Sequence, residues 1–155
     1  MQLYLLRHAD ADTIAETDEA RALSEKGESQ ARKVGRFCSG HDLTGMRILS
    51  SPLRRAHQTA EIVARQLRTD FVIAPWLAAG IQPVAALERL RAFSEEAAVM
   101  IVGHEPDFSS LATHLLGLMS GARLEIRKAS LTRLTVDAFE KGGARLDFFI
   151  PCRLM

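Results

Sequence analysis

Two histidines and a small set of arginines stand directly after apolar runs in this 155-residue chain. Arg7-His8 follows Leu3-Tyr4-Leu5-Leu6, Arg54-Arg55 follows Arg47-Ile48-Leu49-Ser50 and the breaker Ser51-Pro52, and His104-Glu105 follows Ala97 to Gly103. That inventory suits phosphoryl transfer, in which positioning and stabilisation of negative charge on the equatorial oxygens supply most of the catalysis. Arginine fits the task because its planar fork offers paired donors and stays charged at working pH. A histidine among arginines is held neutral, since nearby positive charge disfavours imidazolium, and a neutral ring nitrogen can attack phosphorus. Some acceptor must fix which nitrogen is free, and the sequence does not name it.

These residues need elements to position them. Gln2 to Arg7 predicts a buried strand, and the polar stretch from His8 to Arg21 a long functional loop. Ser24-Glu25 opens a helix carrying Ala31, Val34, Gly35 and Phe37-Cys38 at helical spacing, ending near Gly40. Arg47 to Ser50 predicts a second strand. The helix after it has Leu53, Ala56, Ala60, Val63, Ala64 and Leu67 along one stripe. Phe71 to Ala74 predicts a third strand, and Val84 to Phe93 a third helix. Ala97 to Gly103 is apolar throughout, as a central strand covered on both faces must be. A fourth helix carries Phe108, Leu111, Ala112, Leu115 and Leu116. From Arg123 the pattern alternates through Leu124, Ile126, Leu131, Leu134 and Val136, and Gly142-Gly143 then turns into Arg145 to Ile150, which predicts late strands including an antiparallel edge. The whole reads as an α/β three-layer sandwich, a mostly parallel central sheet flanked by helices. In such sheets ligands bind beyond the carboxyl ends of the strands, where all three polar clusters fall.

Composition sets the outer limits. With 47% hydrophobic and 25% charged residues, the chain has material for one ordinary core, so a single domain over 1–155 is expected. Its 20 basic and 19 acidic residues nearly cancel, which points away from nucleic acid and membrane surfaces. Arg7, His8, Asp10 and Asp12 interrupt the first apolar run before it could serve as a secretory signal. Cys38 and Cys152 lack metal-binding spacing and read as packing residues of a reduced, cytoplasmic protein. There is no His-Glu-x-x-His pattern, no third cluster completes the set His8, Asp10 and Asp12, and Gly103 begins no phosphate loop, so no metal or cofactor is expected.

Leu6-Arg7-His8-Ala9, Ser51-Pro52-Leu53-Arg54-Arg55-Ala56-His57-Gln58-Thr59-Ala60 and Val102-Gly103-His104-Glu105-Pro106 resemble, in order, three motifs of the histidine phosphatase superfamily, whose fold is phosphoglycerate mutase-like. The resemblance implies that His8 is the nucleophile, that Arg7 and Arg55 clamp the phosphoryl group, and that His104 donates to it. Arg54 stands one position before the matching arginine. Arg21-Ala22-Leu23-Ser24-Glu25-Lys26-Gly27 resembles the segment opening the first helix in the SixA-like branch, which implies that Arg21 touches substrate. Relatives acting on oxygen esters carry a glutamate proton donor after the third strand, yet no Asp or Glu occurs from Phe71 through Leu87. That absence, with the short chain, favours the SixA-like branch, a metal-independent phosphohistidine phosphatase acting on a phosphorylated histidine-containing protein such as a phosphotransfer domain. Glu105 and Asp10 are the two carboxylates able to replace the donor. Two other functions are weighed: a small-molecule phosphomonoesterase with Glu105 as acid, and a non-catalytic phosphate-binding module.

The remaining polar residues have plainer readings. His41 beside Gly40 is expected in solvent, and His57 and His114 on helix faces. Lys128 and Ser130 are placed on a late strand bordering the pocket, with an exposed edge as the default for the lysine, and Trp76 is expected to pack.

Overall fold

A strand covered on both faces must be apolar on both, and the side-chain period of two then sends alternate residues to different layers. In the computed structural model, which describes residues 1–119 and 124–155, the chain runs β1 (Gln2–Arg7), α1 (Glu25–Gly40), β2 (Arg47–Ser50), α2 (Arg54–Leu67), β3 (Phe71–Ile73), α3 (Pro83–Leu90), β4 (Ala98–Gly103), α4 (Asp107–Leu115), β5 (Leu131–Val136) and β6 (Ala144–Ile150). The six strands form one sheet in the order β3-β2-β4-β1-β5-β6. The first four are parallel, β5 runs antiparallel to β1, and β6 antiparallel to β5. Tyr4, Leu6, Ile48, Met100 and Val102 face one layer, against residues of α1 and α2 such as Val34 and Val63. Leu3, Leu5, Leu49, Val99 and Ile101 face the other, against Leu87 and Leu90 of α3 and Phe108 and Leu111 of α4. This is the mostly parallel three-layer sandwich that the alternating pattern predicts.

The differences have local causes. The third helix stops at Leu90 and tightens into a 3-10 turn over Arg91–Phe93. The predicted alternation at Leu124 and Ile126 is no strand: the main-chain N–H of Ile126 donates to Glu105 Oε1 (3.0 Å) and its carbonyl accepts from Arg7 Nη1 (2.9 Å). Side chains have taken the bonds a neighbouring strand would need. The start of that pattern at Arg123 lies outside the described residues. Lys128 accordingly sits in a turn rather than on a strand. Cys38 and Cys152 are buried free thiols in the α1–α2 layer, and burial pushes the Cys38 thiol up to about 12. Among the described residues no helix is long and apolar enough to cross a membrane.

The start of α1 is tied to the loop after β1. Ser24 Oγ caps the helix by accepting from the Gly27 N–H (3.1 Å), and the Ser24 N–H donates to the Asp10 carbonyl (3.1 Å). A Cβ on Gly27 would lie 1.8 Å from that same carbonyl oxygen. The obstacle is backbone two residues past His8, so it cannot swing away like a side chain. Gly27→Ala should therefore cost about 3 kcal/mol of stability, seen as a lower urea midpoint with an unchanged slope.

Candidate active site

Strand register assembles the site. Leu6 and Ser50 both stand opposite Val102, and Arg7 opposite Gly103, so β4 ends between β2 and β1. One residue further, the Ser51 N–H donates to Val102 O and the His8 N–H to Gly103 O, each at 2.9 Å. Ser51, His104 and His8 are thereby delivered together at the carboxyl edge of the sheet.

His8 is buried, and its Nδ1 lies 2.8 Å from the Ala9 carbonyl. A carbonyl only accepts, so Nδ1 carries the hydrogen and the Nε2 lone pair is bare. Here is the acceptor that sequence reasoning could not name. Burial pushes the His8 pKa down to about 3, against the pull of the Ala9 hydrogen bond and with help from His104, Arg55 and Arg7. Its ring centroid is 5.3 Å from that of His104. His104 Nε2 lies 2.7 Å from Ser51 Oγ, a hydroxyl that accepts from the Leu53 N–H and still has its own proton to give. With that proton on the bond to Nε2, His104 carries its hydrogen on Nδ1, which is buried and has no protein partner. Burial, then Arg55, lowers the His104 pKa to about 4, with Arg7 adding and Asp18 opposing. Both rings are neutral near pH 7.

Two arginines flank them. Arg7 Nη1 holds the Ile126 carbonyl, while its Nε is buried without a protein partner. Arg55, in the first turn of α2 and buried, donates from Nη1 to the Asp18 carbonyl (2.7 Å) and from Nη2 to Asp18 Oδ2 (3.0 Å); its Nε too is buried and unpartnered. Buried donors left unpaired are costly, by roughly 1–3 kcal/mol each. Arg7 Nε, Arg55 Nε and His104 Nδ1 form such a set beside the neutral His8, and an oxyanion would relieve it.

The other expected site residues lie further out. Arg21 reaches the cluster through Asp18, donating to Asp18 Oδ1 (2.9 Å) and to the Asp12 carbonyl (2.7 Å). Hydrogen bonds from Arg21 and Arg55 hold the Asp18 carboxyl below the usual carboxylate range. Asp10 accepts from Lys128 Nζ (2.7 Å) and Ser24 Oγ (2.8 Å), and the Lys128 bond keeps it ionised. Glu105 accepts from the Ile126 N–H and from Ser109 Oγ (2.6 Å). Both oxygens of Asp10 and of Glu105 are thus engaged in fixing loops. Arg54 is exposed. Sequence reasoning assigned no role to Asp18, Ser51 or Thr59. Thr59 Oγ1 accepts from the Ala9 N–H (3.1 Å) and donates to the Arg55 carbonyl (2.7 Å), joining the residue after His8 to the helix that carries Arg55. Its signal was its place one helical turn after Arg55; Ser51 had only its place at a strand end.

Elsewhere, His41 is exposed, His57 sets its edge on Phe71 at 5.2 Å, and half-buried Trp76 packs on the α3–α4 layer. His114 borders an open groove with Arg7 and Glu105. Ser130 is buried. Among the described residues no group of three or more His, Cys, Asp or Glu is arranged to hold a metal ion.

The low pKa values have a consequence for stability. From pH 6.5 downward the unfolded chain takes up protons that folded His8 and His104 refuse. Stability should therefore fall with pH through that window, the loss levelling off near pH 3 for His8 and near pH 4 for His104. At pH 5 the loss is on the order of 2 kcal/mol for each histidine. Urea unfolding at pH 7 and pH 5 tests this, with the double variant His8→Asn/His104→Asn expected to show a flatter dependence.

The sequence and the fold are similar to those of known proteins. The family model of the histidine phosphatase superfamily (branch 1) matches residues 3–78. A phosphohistidine phosphatase SixA homolog of Haemophilus influenzae is 30% identical over 132 residues, covering 76% of this chain and 78% of the relative. Phosphohistidine phosphatase SixA of Escherichia coli is 29% identical over 119 residues, 74% of each chain. The structure of the protein histidine phosphatase SixA complexed with tungstate superposes with a TM-score of 0.86 at 25% identity, over 99% of this chain and 98% of that one. On this sequence and structural similarity, the chain belongs to the histidine phosphatase superfamily, as a SixA-like phosphatase.

Proposed function

We propose that this protein, acting as a single domain over 1–155, removes phosphate from phosphohistidine in a signalling or phosphotransfer protein through a covalent phospho-His8 intermediate. The observation that carries this reading is the bare Nε2 of a neutral His8, fixed by the Ala9 carbonyl beside Arg7, Arg55 and His104. In the first step the Nε2 lone pair attacks phosphorus in line. The new N–P bond forms as the substrate's N–P bond breaks, and its electron pair leaves with the substrate imidazole. In the second step a water oxygen attacks phosphorus, the pair returns to Nε2, and the water's proton leaves with phosphate or solvent. Arg7, Arg55 and Nδ1 of His104 stabilise the equatorial oxygens in both steps. No step uses a metal.

The leaving group follows from the carboxylates. An alkoxide needs a proton as it departs, whereas phosphohistidine protonated on its ring leaves as neutral imidazole. The engagement of both Glu105 oxygens and both Asp10 oxygens elsewhere supports a substrate that does not need a donor. SixA of Escherichia coli bears the phosphohistidine activity in its name, and the tungstate in the similar SixA structure is a tetrahedral oxyanion like phosphate. A cytoplasmic setting fits the free thiols of Cys38 and Cys152.

The test compares hydrolysis of a phosphohistidine-bearing protein with that of a sugar phosphate monoester, whose alkoxide leaving group needs a proton. A preference of at least about 100-fold in kcat/KM for phosphohistidine is expected. If the monoester is preferred, and Glu105→Gln removes that activity, the protein is a small-molecule phosphomonoesterase; if neither is turned over and no donor labels His8, it is a binding module.

A further inference from the structure

We propose that the groove on the Arg7 side of the site docks an acidic segment of the protein substrate, an inference that rests on the protein-substrate reading above. The groove encloses about 500 Å³, and its lining includes the cations Arg7, Lys26, Arg127, Lys128 and Arg153 against one carboxylate, Asp10. Lys128 already neutralises Asp10 at 2.7 Å. Arg127 meets Glu125 at only 3.7 Å with both side chains largely in solvent, and among the described residues Lys26 and Arg153 pair with no carboxylate. The chain as a whole carries a formal charge of +1, so this concentration of positive charge is local.

Lys26 is the most telling of the set. It stands in the first turn of α1, where the helix dipole favours acids such as its neighbours Glu25 and Glu28. Helix stability gives no reason for a lysine there. The loop that reaches Arg55 has the other sign: residues 12–19 are exposed and carry Asp12, Glu16 and Glu19 beside Asp18, whose carboxylate is paired with Arg21 and Arg55. A partner with an acidic stretch is repelled on that side and attracted on the Arg7 side, which fixes its orientation over His8.

The shape favours a polypeptide over a second small anion. The cationic heads come from four separate segments, the end of β1, α1, the turn at 127–128 and the 3-10 turn Cys152–Leu154. Lys26, Arg127 and Arg153 are exposed rather than gathered into a closed pocket. Past Arg127 and Arg153 the groove continues into a second hollow of about 220 Å³ with Phe149, Pro151 and the Arg127-paired Glu125 on its walls. That is a strip with charges along it and apolar contacts at its end.

Two synthetic peptides test the proposal, each with one phosphohistidine, flanked by glutamates in one and by serines in the other. Wild-type protein should show a kcat/KM about tenfold higher for the glutamate peptide at low ionic strength, and added salt should erode the preference. In Lys26→Glu/Arg153→Glu the preference should vanish or reverse while turnover of the serine peptide stays within about twofold, since neither residue touches His8, His104, Arg7 or Arg55. Equal kcat/KM for the two peptides in wild type, or an unchanged preference in the variant, overturns the proposal. So does a preference for bisphosphorylated over monophosphorylated small molecules without one between the peptides. If neither phosphohistidine peptide is cleaved, the proposed substrate class has failed; the same pair is then read with phosphoserine or, absent any turnover, by fluorescence anisotropy. Equal rates or equal Kd values in that arm overturn docking on its own account.

Discussion

His8→Ala is expected to lower kcat/KM by at least ~10⁴-fold and to abolish acid-labile phosphate on the protein in a single-turnover reaction. Under the proposed mechanism alanine removes the atom that forms the covalent bond, and among the described residues His104 is the neighbour that would have to inherit the task. His104 presents Nε2 to Ser51, and a hydrogen on Nδ1 makes that atom a donor rather than a nucleophile. The arginines and His104 would still bind phosphate, so the variant should retain affinity for inorganic phosphate while losing turnover. The two readouts separate loss of the nucleophile from loss of the fold. Because His8 is a buried neutral ring, its removal also deletes an acid-sensitive group, and the variant should lose less stability between pH 7 and pH 5 than the parent.

Arg55→Ala should cost about 10³-fold in kcat, with the smaller part of the loss in KM, because the clamp acts most strongly on the charge that builds up at the equatorial oxygens. Arg55→Lys should recover little of it. The guanidinium has five N–H donors, and two of them hold the Asp18 carbonyl and carboxylate, which leaves Nε and the remaining hydrogens for an anion. A lysine keeps the charge but has one nitrogen, which must choose between the loop and the phosphoryl group. Steady-state kinetics on both variants decide the point: full rescue by lysine would mean that Arg55 supplies charge alone.

Much of this arrangement was legible in the residues themselves. The strands β1, β2 and β4 announce their burial by apolar residues on both faces, and each ends abruptly at a polar group, so the sequence already placed His8, Ser51 and His104 at strand ends. Pattern could not show that Ile126 spends its main-chain bonds on Glu105 and Arg7, because a side chain arriving from another segment leaves no periodicity behind. Nor could it pick Asp18 out of a loop that also holds Asp12, Glu16 and Glu19, since reach toward Arg55 depends on a loop path rather than on spacing. The basic groove was invisible for the same reason: Lys26, Arg127 and Arg153 are far apart in a chain whose charges nearly cancel.

The position of β4 between β1 and β2 also sets an order in time. Synthesis from the amino terminus delivers His8 first and Arg55 next, but the two strands that carry them toward the site are not neighbours and have no edge in common until Ala98–Gly103 slides between them. In the finished sheet His8 and Arg55 are brought together by way of β4. Under the proposed mechanism phosphate chemistry requires Ala98–Gly103 in place between β1 and β2, so a chain that ends before this strand should be inactive.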